Sequence, residues 1–203
     1  MQKQRLHIEN PDDTKLWKSL IKGDENAFSL LFKKHYAQLI VYGNSFNPFP
    51  DKVQDCIQDV FTDIWLYRDN LNQDVVVKAY LLSCVRKRIT KLKVRDKIFT
   101  FGSSVDNIPF LIDFSIEHHL IIDEISKSQV THLNRLINAL PSRQKEAIYL
   151  RFNQDLPIEQ VATTLGINYQ SANNLLHRAI LSMREGFKNG TLILLLLLQV
   201  FCK

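Results

Sequence analysis

The chain has 203 residues, of which 45% are hydrophobic and 23% charged, with six glycines and six prolines. That composition excludes a disordered chain and, with so few helix breakers, favours a helical globular protein of one large or two small domains. The net charge of +5 lies in residues 1–97, which hold 17 Lys and Arg against 12 Asp and Glu, whereas residues 98–203 hold 9 of each; the first half is therefore the one suited to an anionic partner.

Residues 1–12 read as a flexible lead without the apolar core of a signal peptide. Asp13 and Thr14 can cap a short helix, Lys15 to Lys22, whose apolar side is Leu16, Trp17, Leu20 and Ile21. Gly23 ends it. Asp24 then caps a longer helix, Glu25 to about Asn44, with Phe28, Leu31, Phe32, Leu39 and Ile40 at helical spacing. Asn44 to Pro50 is a loop.

The next helix, Asp51 to about Asp69, buries Val53, Cys56, Ile57, Val60, Phe61, Ile64 and Trp65. Another face repeats Asp51, Asp55, Asp59 and Asp63 every four residues, together with Gln54, Gln58 and Thr62. Like charges at this spacing repel by about 0.2–0.5 kcal/mol per pair. The face is either simply solvated or made to meet a basic protein surface. After a polar loop, Asn70, Leu71, Asn72, Gln73 and Asp74, a helix from Lys78 to about Asp96 has a buried stripe of Leu81, Leu82, Val85, Ile89 and Leu92. Its second half carries Arg86, Lys87, Arg88, Lys91, Lys93, Arg95 and Lys97 against Asp96 alone. Some cations complement a helix C-terminus. Seven exceed that need and suit nucleic-acid phosphates.

Residues 98–116 lose their basic character and hold Gly102, Ser103, Ser104, Asn107 and Pro109. They read as a flexible linker whose Phe and Ile content suggests that it docks somewhere. Helices resume from about Glu117 to Ala139, and again from Arg143 to Phe152 after Pro141 and Ser142. Pro157 to Arg184 reads as a helix-turn-helix. Val161, Leu165, Ile167, Ala172, Leu175 and Leu176 fall on inward positions, Ala162 is small where helices approach, and Gly166 marks the turn. Asn168 and Ser171 can accept hydrogen bonds at the second helix's start. That helix presents Asn168, Tyr169, Gln170, Ser171, Asn173, Asn174, His177 and Arg178 outward, side chains suited to base edges and phosphates. An ordinary helical hairpin is the bland alternative. The tail, with Leu192 to Leu198 apolar throughout, is too short to span a bilayer.

Cys56, Cys84 and Cys202 are far apart in sequence and form no CxxC motif, which fits a reducing cytoplasm and no zinc site. Adjacent His118 and His119 would point about 100° apart on a helix and are poorly placed to share a metal. With no nucleophile–base pair and no glycine-rich phosphate loop, the chain reads as a non-enzyme without metal, cofactor or small-molecule substrate.

The order of these features resembles an extracytoplasmic-function sigma factor of the sigma-70 family. The resemblance rests on Gly23-Asp24-Glu25-Asn26-Ala27-Phe28, on the run from Asp55 to Trp65, on Ala79-Tyr80-Leu81 before the basic helix, on Leu140 to Ala147, and on His177-Arg178-Ala179. It covers about residues 12–186 and implies an all-α fold of two helical domains joined by a flexible linker. Residues 12–97 would be region 2, 98–116 the linker, 117–189 a region 4 helix-turn-helix domain, and 190–203 an apolar tail. It further implies promoter recognition, DNA melting and transcription initiation with core RNA polymerase and promoter DNA as partners. Asp51, Asp55, Gln58, Asp59, Thr62 and Asp63 would dock on the polymerase β′ clamp. Asn70, Asn72, Gln73, Asp74, Tyr80, Arg86, Lys87, Arg88 and Lys91 would engage the −10 element, the loop holding an extruded base. The helix from Asn168 would read the −35 element, and its domain would pack on the β flap. An anti-sigma factor is a further partner in such systems, and the location would be cytoplasmic. The recognition helix departs from many relatives, which have Thr-Val followed by basic residues where this chain has Ser171-Ala172-Asn173-Asn174-Leu175. Phosphate contact should be weaker and base reading should lean on amides, which suit adenine. The competing reading is a stand-alone helix-turn-helix regulator.

Overall fold

A computed structural model of the chain describes residues 11–46, 50–98, 108–112 and 124–186. Among these residues every regular element is helical. The expectations for the lead before Pro11, for Pro48, for His118 and His119 and for the leucine-rich tail lie outside the described residues. The chain divides into two compact units between Val105 and Asp106.

The first unit holds α1 (Pro11–Ile21), α2 (Glu25–Asn44), α3 (Pro50–Leu66) and α4 (Val77–Ile98). Gly23, at φ +89°, turns the chain between α1 and α2 in a conformation that disfavours other residues. Asp24 then caps α2, its Oδ1 accepting from the backbone N–H groups of Asn26 (2.9 Å) and Ala27 (3.2 Å). Ala27, Leu31, His35, Leu39 and Tyr42 recur every three or four residues and form the buried row of α2. Val53, Ile57, Val60 and Ile64 of α3 meet Leu81, Leu82, Val85 and Ile89 of α4 in the same core. Phe28 lies edge-on to Phe61 and close to Trp65, with ring centroids 5.9 and 5.2 Å apart. At Gly43 the helices pack with no room for a side chain: a Cβ there would collide with Val53 Cγ1 and crowd Ile89 Cδ1 at 3.2 Å.

Two helix ends differ from the sequence reading. α1 starts at Pro11, whose fixed φ suits a first helical turn, so Asp13 is an inward-facing helical residue and not a cap. Its Oδ1 lies 2.7 Å from Lys34 Nζ and its Oδ2 3.2 Å from His35 Nε2. α3 stops at Leu66, short of Asp69. Arg68, in the short turn Arg68–Asn70, folds back so that Nη1 donates to the Trp65 carbonyl at 2.7 Å, satisfying a helix-terminal acceptor. Its guanidinium also sits 4.8 Å from the centroid of the Trp65 ring.

The second unit holds α5 (Glu124–Ala139), α6 (Ser142–Ile148), α7 (Ile158–Leu165) and α8 (Tyr169–Gly186). The helix expected through Phe152 widens into a π turn over Tyr149–Asn153. That turn brings Gln154 inward, where Nε2 donates to the Tyr149 hydroxyl at 2.9 Å. Leu133, Ile137, Ile148, Leu150, Val161, Leu165, Ala172, Leu176, Ala179 and Met183 form the core.

Residues 108–112, read from sequence as part of the linker, pack on this unit. Ile108, Phe110 and Ile112 are buried while Pro109 and Leu111 are exposed, the alternation of an extended strap. Asn138 clamps its end: Oδ1 accepts from the Ile112 N–H (3.2 Å) and Nδ2 donates to the Ile112 carbonyl (2.7 Å). Phe110 stands edge-on to Tyr149 at 5.7 Å. Burying three such side chains contributes roughly 5–9 kcal/mol. Ordering five backbone residues costs about 5–10 kcal/mol, so burial and ordering nearly cancel.

Gly43→Ala should destabilise the first unit by about 1–3 kcal/mol, overpacking outweighing the gain in helix propensity. Urea titration followed by tryptophan fluorescence reads this unit alone, since Trp17 and Trp65 are the chain's two tryptophans. The same titration should show a pH dependence from His35. Burial pulls its imidazole below the ordinary value of 6.5, against the opposing pull of Asp13. A depressed pKa means the unfolded chain binds the proton more readily. The contribution is therefore present above about pH 6.5 and lost as pH falls toward the folded-state value. The urea midpoint should drop between about pH 7.5 and pH 5.5, and His35→Gln should make that drop shallower.

Candidate nucleic-acid and partner interfaces

In the second unit, the turn between α7 and α8 is built by local hydrogen bonding. Gly166 takes φ +67°, which lets the Ile167 N–H reach back to the Ala162 carbonyl at 3.0 Å and close the end of α7. Asn168 opens α8: its Oδ1 accepts from the Ser171 N–H at 2.8 Å. The sequence reading had also offered Ser171 as an acceptor; in the structure it is the Ser171 backbone that donates. Ala172, Leu176, Ala179 and Met183 are buried. Asn168, Tyr169, Gln170, Ser171, Asn173, Asn174, His177 and Arg178 are all exposed. Amides at Gln170, Asn173 and Asn174 have the donor–acceptor pair that matches an adenine edge in the major groove. Only Arg178 and Arg184 supply cations on this helix.

In the first unit, Asp51, Asp55, Gln58, Asp59, Thr62 and Asp63 are all exposed on α3, opposite its buried row. The acidic face is not isolated. Arg88 of α4 reaches across, with Nε 3.4 Å from Asp59 Oδ2 and Nη1 donating to Asp63 Oδ2 at 2.8 Å. Residues assigned from sequence to two different partners are thus joined in one ion-pair cluster. Half-exposed pairs of this kind are each worth about 0.2–1 kcal/mol and are weakened by salt. Lys93 is also engaged, its Nζ donating to the Phe46 carbonyl. Lys87 and Lys91 are exposed, and Arg86 is partly buried.

Between α3 and α4 lies a groove of about 950 Å³. Val60, Ile64, Leu71, Cys84 and Leu92 line it, Tyr67 and Tyr80 form aromatic walls, and Asp59, Asp63, Lys87, Arg88 and Lys91 form a charged rim. Burial, with the Cys84 sulfur beside it, pushes the Tyr80 hydroxyl up to about 12, so it is a neutral hydrogen-bonding group. An aromatic-walled cleft with cations on its rim has the chemistry to hold an unstacked base and its phosphate.

The loop 70–74 is pinned and, apart from Leu71, stands outside that lining. The Trp17 indole donates to the Asn72 carbonyl at 3.0 Å, and Asn72 Oδ1 accepts from the Asp74 N–H at 2.9 Å. Asp74 lies 3.8 Å from Lys18. Asn70 and Gln73 are exposed. Of the residues expected around the −10 element, the groove gathers Tyr80, Lys87, Arg88 and Lys91, and it omits Asn70, Asn72, Gln73, Asp74 and Arg86. Tyr67 and Leu71 were missed from sequence; an aromatic residue just past the last member of the apolar repeat, Trp65, was the available signal. Among the described residues no cluster of His, Cys, Asp or Glu could hold a metal, and no helix is long and apolar enough to cross a membrane.

Known proteins share parts of this sequence and its fold. Residues 132–183 match the family described as sigma-70, region 4. The RNA polymerase sigma factor SigV of Bacillus subtilis (strain 168) is 28% identical over 134 residues, covering 66% of this chain and 72% of SigV. Two solved structures share the fold. One is CnrH, in complex with the cytosolic domain of CnrY, at TM-score 0.57 and 18% identity over 86% of this chain and 96% of CnrH. The other is the sigma factor RpoE, in complex with the anti-sigma factor NepR from Bartonella quintana. It matches at TM-score 0.52 and 19% identity over 78% of this chain and 95% of RpoE.

Proposed function

We infer that this chain is a sigma factor of the extracytoplasmic-function branch of the sigma-70 family, bringing core RNA polymerase to promoters by engaging two DNA elements with two separate domains; the region 4 match over residues 132–183 and the similarity to SigV support this reading. The observation that carries the mechanism is the pairing, on adjacent helices of one unit, of an acidic exposed face on α3 with a cation-rimmed aromatic groove on α4. The first domain acts as region 2. Asp51, Asp55, Gln58, Asp59, Thr62 and Asp63 meet the basic coiled coil of the polymerase β′ clamp. A base extruded from the −10 element enters the groove between Tyr67 and Tyr80. Lys87 and Lys91, with Arg86 and Arg88 beside them, hold the phosphates of the separating strands. Unstacking a base costs a few kcal/mol, and aromatic stacking returns about 1–3 kcal/mol per base, so capture biases the duplex toward opening. Asn70, Asn72, Gln73 and Asp74, held by Trp17 and Lys18, border the entering strand. α8 reads the −35 element through Gln170, Asn173 and Asn174, and its domain packs on the β flap. The polymerase performs the chemistry; this chain selects where it starts, in the cytoplasm.

An anti-sigma factor is the natural regulator. The two similar solved structures are complexes, one with the anti-sigma factor NepR and one with the cytosolic domain of CnrY.

Asp51→Lys with Asp55→Lys reverses the acidic face while leaving the Arg88 pairs intact. Core polymerase binding, measured by co-purification and by titration, should weaken at least tenfold, about 1.4 kcal/mol. Unchanged binding would remove α3 as the docking element. Sequencing of transcripts made in vitro with core polymerase should reveal discrete start sites that share upstream −10 and −35 sequences.

A further inference from the structure

One buried side chain in the first unit ties the 70–74 loop to the groove. Trp17 of α1 is 1% exposed, so its indole N–H needs a partner inside the fold. It donates to the Asn72 backbone carbonyl at 3.0 Å. The same ring stands edge-on to Tyr80, with centroids 5.3 Å apart. Tyr80 is a wall of the groove, and Leu71, the neighbour of Asn72 in the chain, lines it as well. Trp17 therefore meets both the loop and the wall that the loop borders. Further contacts hold the loop's own shape. Asn72 Oδ1 accepts from the Asp74 N–H at 2.9 Å, and Asp74 lies 3.8 Å from Lys18, the next residue of α1. Asn72 thus has its carbonyl and its side-chain acceptor engaged within the fold, while Asn70 and Gln73 are exposed. A polar loop without such ties loses much freedom when it closes on a ligand. A loop ordered in advance loses less, and it holds its polar groups where one base fits and another does not.

We propose that Trp17 is a positioning residue for base selection: through the Asn72 carbonyl and the Tyr80 ring it holds the 70–74 loop in register with the groove, so that an unstacked −10 base is discriminated there. The inference rests on the region 2 reading and deepens it. Trp17 is buried and acts only through Asn72 and Tyr80. Its hydrogen bond is also separable from the fold. Asn72 is exposed, so water can serve its carbonyl once the indole N–H is gone. Loss of that bond frees the loop and leaves the acidic face of α3 unchanged.

The test uses the full chain with core polymerase on one of its mapped promoters, in a set with each base of the −10 element changed in turn. Open complex is scored by permanganate reactivity of unpaired thymines. Trp17→Phe keeps an aromatic ring in the core and removes the N–H. Preference for the native base at particular −10 positions should fall roughly three- to tenfold, the factor that one neutral hydrogen bond sustains. Affinity for core polymerase should stay within about twofold, since the α3 face is untouched. Lys18→Glu sets like charges opposite each other at exposed positions, which spares the core. It should relax preference at the same positions by about twofold. Urea titration followed through Trp65 fluorescence confirms that each variant is folded. Should Trp17→Phe fail to fold, the Lys18→Glu profile decides, relaxed preference supporting the inference and wild-type preference overturning it. Wild-type preference in a folded Trp17→Phe chain overturns it too, as does an equal fall on every −10 sequence, the mark of a merely structural role. No open complex from the wild-type chain with core polymerase would instead overturn the region 2 reading on which it rests.

Discussion

The close crossing at Gly43 sets the geometry on which the first domain depends. With no side chain there, Val53 of α3 and Ile89 of α4 both pack against the α2 backbone. α3 and α4 then lie side by side, with their buried rows in one core and their charged faces bordering one groove. A helix with aspartates at every fourth position is unfavourable alone. Beside a cationic helix its charges have a use, and Arg88 answers Asp59 and Asp63 directly. The cluster stays partly solvated, so it can be rearranged at small cost when a polymerase surface or a phosphate competes for it.

The helix-turn-helix was the most legible part of the chain. Its signals are local: Gly166 for a positive φ, Asn168 for a cap, and an apolar repeat that predicts which side of α8 is covered. Every α8 side chain expected to face outward does so. The acidic and basic helices were legible for the same reason, since periodicity shows which residues share a face. Periodicity does not show what another segment places opposite that face. Hence Asp13 read as a cap until Lys34 and His35 drew it inward. Arg88 read as a phosphate ligand until its two carboxylate partners were seen. Tyr67 and Leu71 line the groove beyond the end of α3 at Leu66, three residues before the expected Asp69. The strap was half legible: its Ile and Phe residues announced a docking segment, but only the fold identifies Asn138 and Tyr149 as the seat.

These parts make a reader assembled from weak contacts. α8 has exposed amides but only two cations, so its hold on DNA has little of the phosphate attraction that dominates affinity. The excess of cations is on the other domain. Neither unit alone combines sequence reading with strong electrostatic grip, and a tether joins them. Linking two weak sites raises their combined affinity only when the geometry lets both engage at once. In the proposed role, polymerase holding the first domain through α3 would supply that geometry. This division also separates the proposed sigma-factor role from that of a stand-alone regulator, which must grip its site unaided.

The most direct measurement is therefore the affinity of the chain for a fragment carrying one of its own mapped promoters, with and without core polymerase, at a stated salt concentration. The account predicts weak binding without sequence preference for the chain alone and tight, promoter-selective binding once core polymerase is added. Tight, sequence-specific binding by the chain in the absence of polymerase would contradict it.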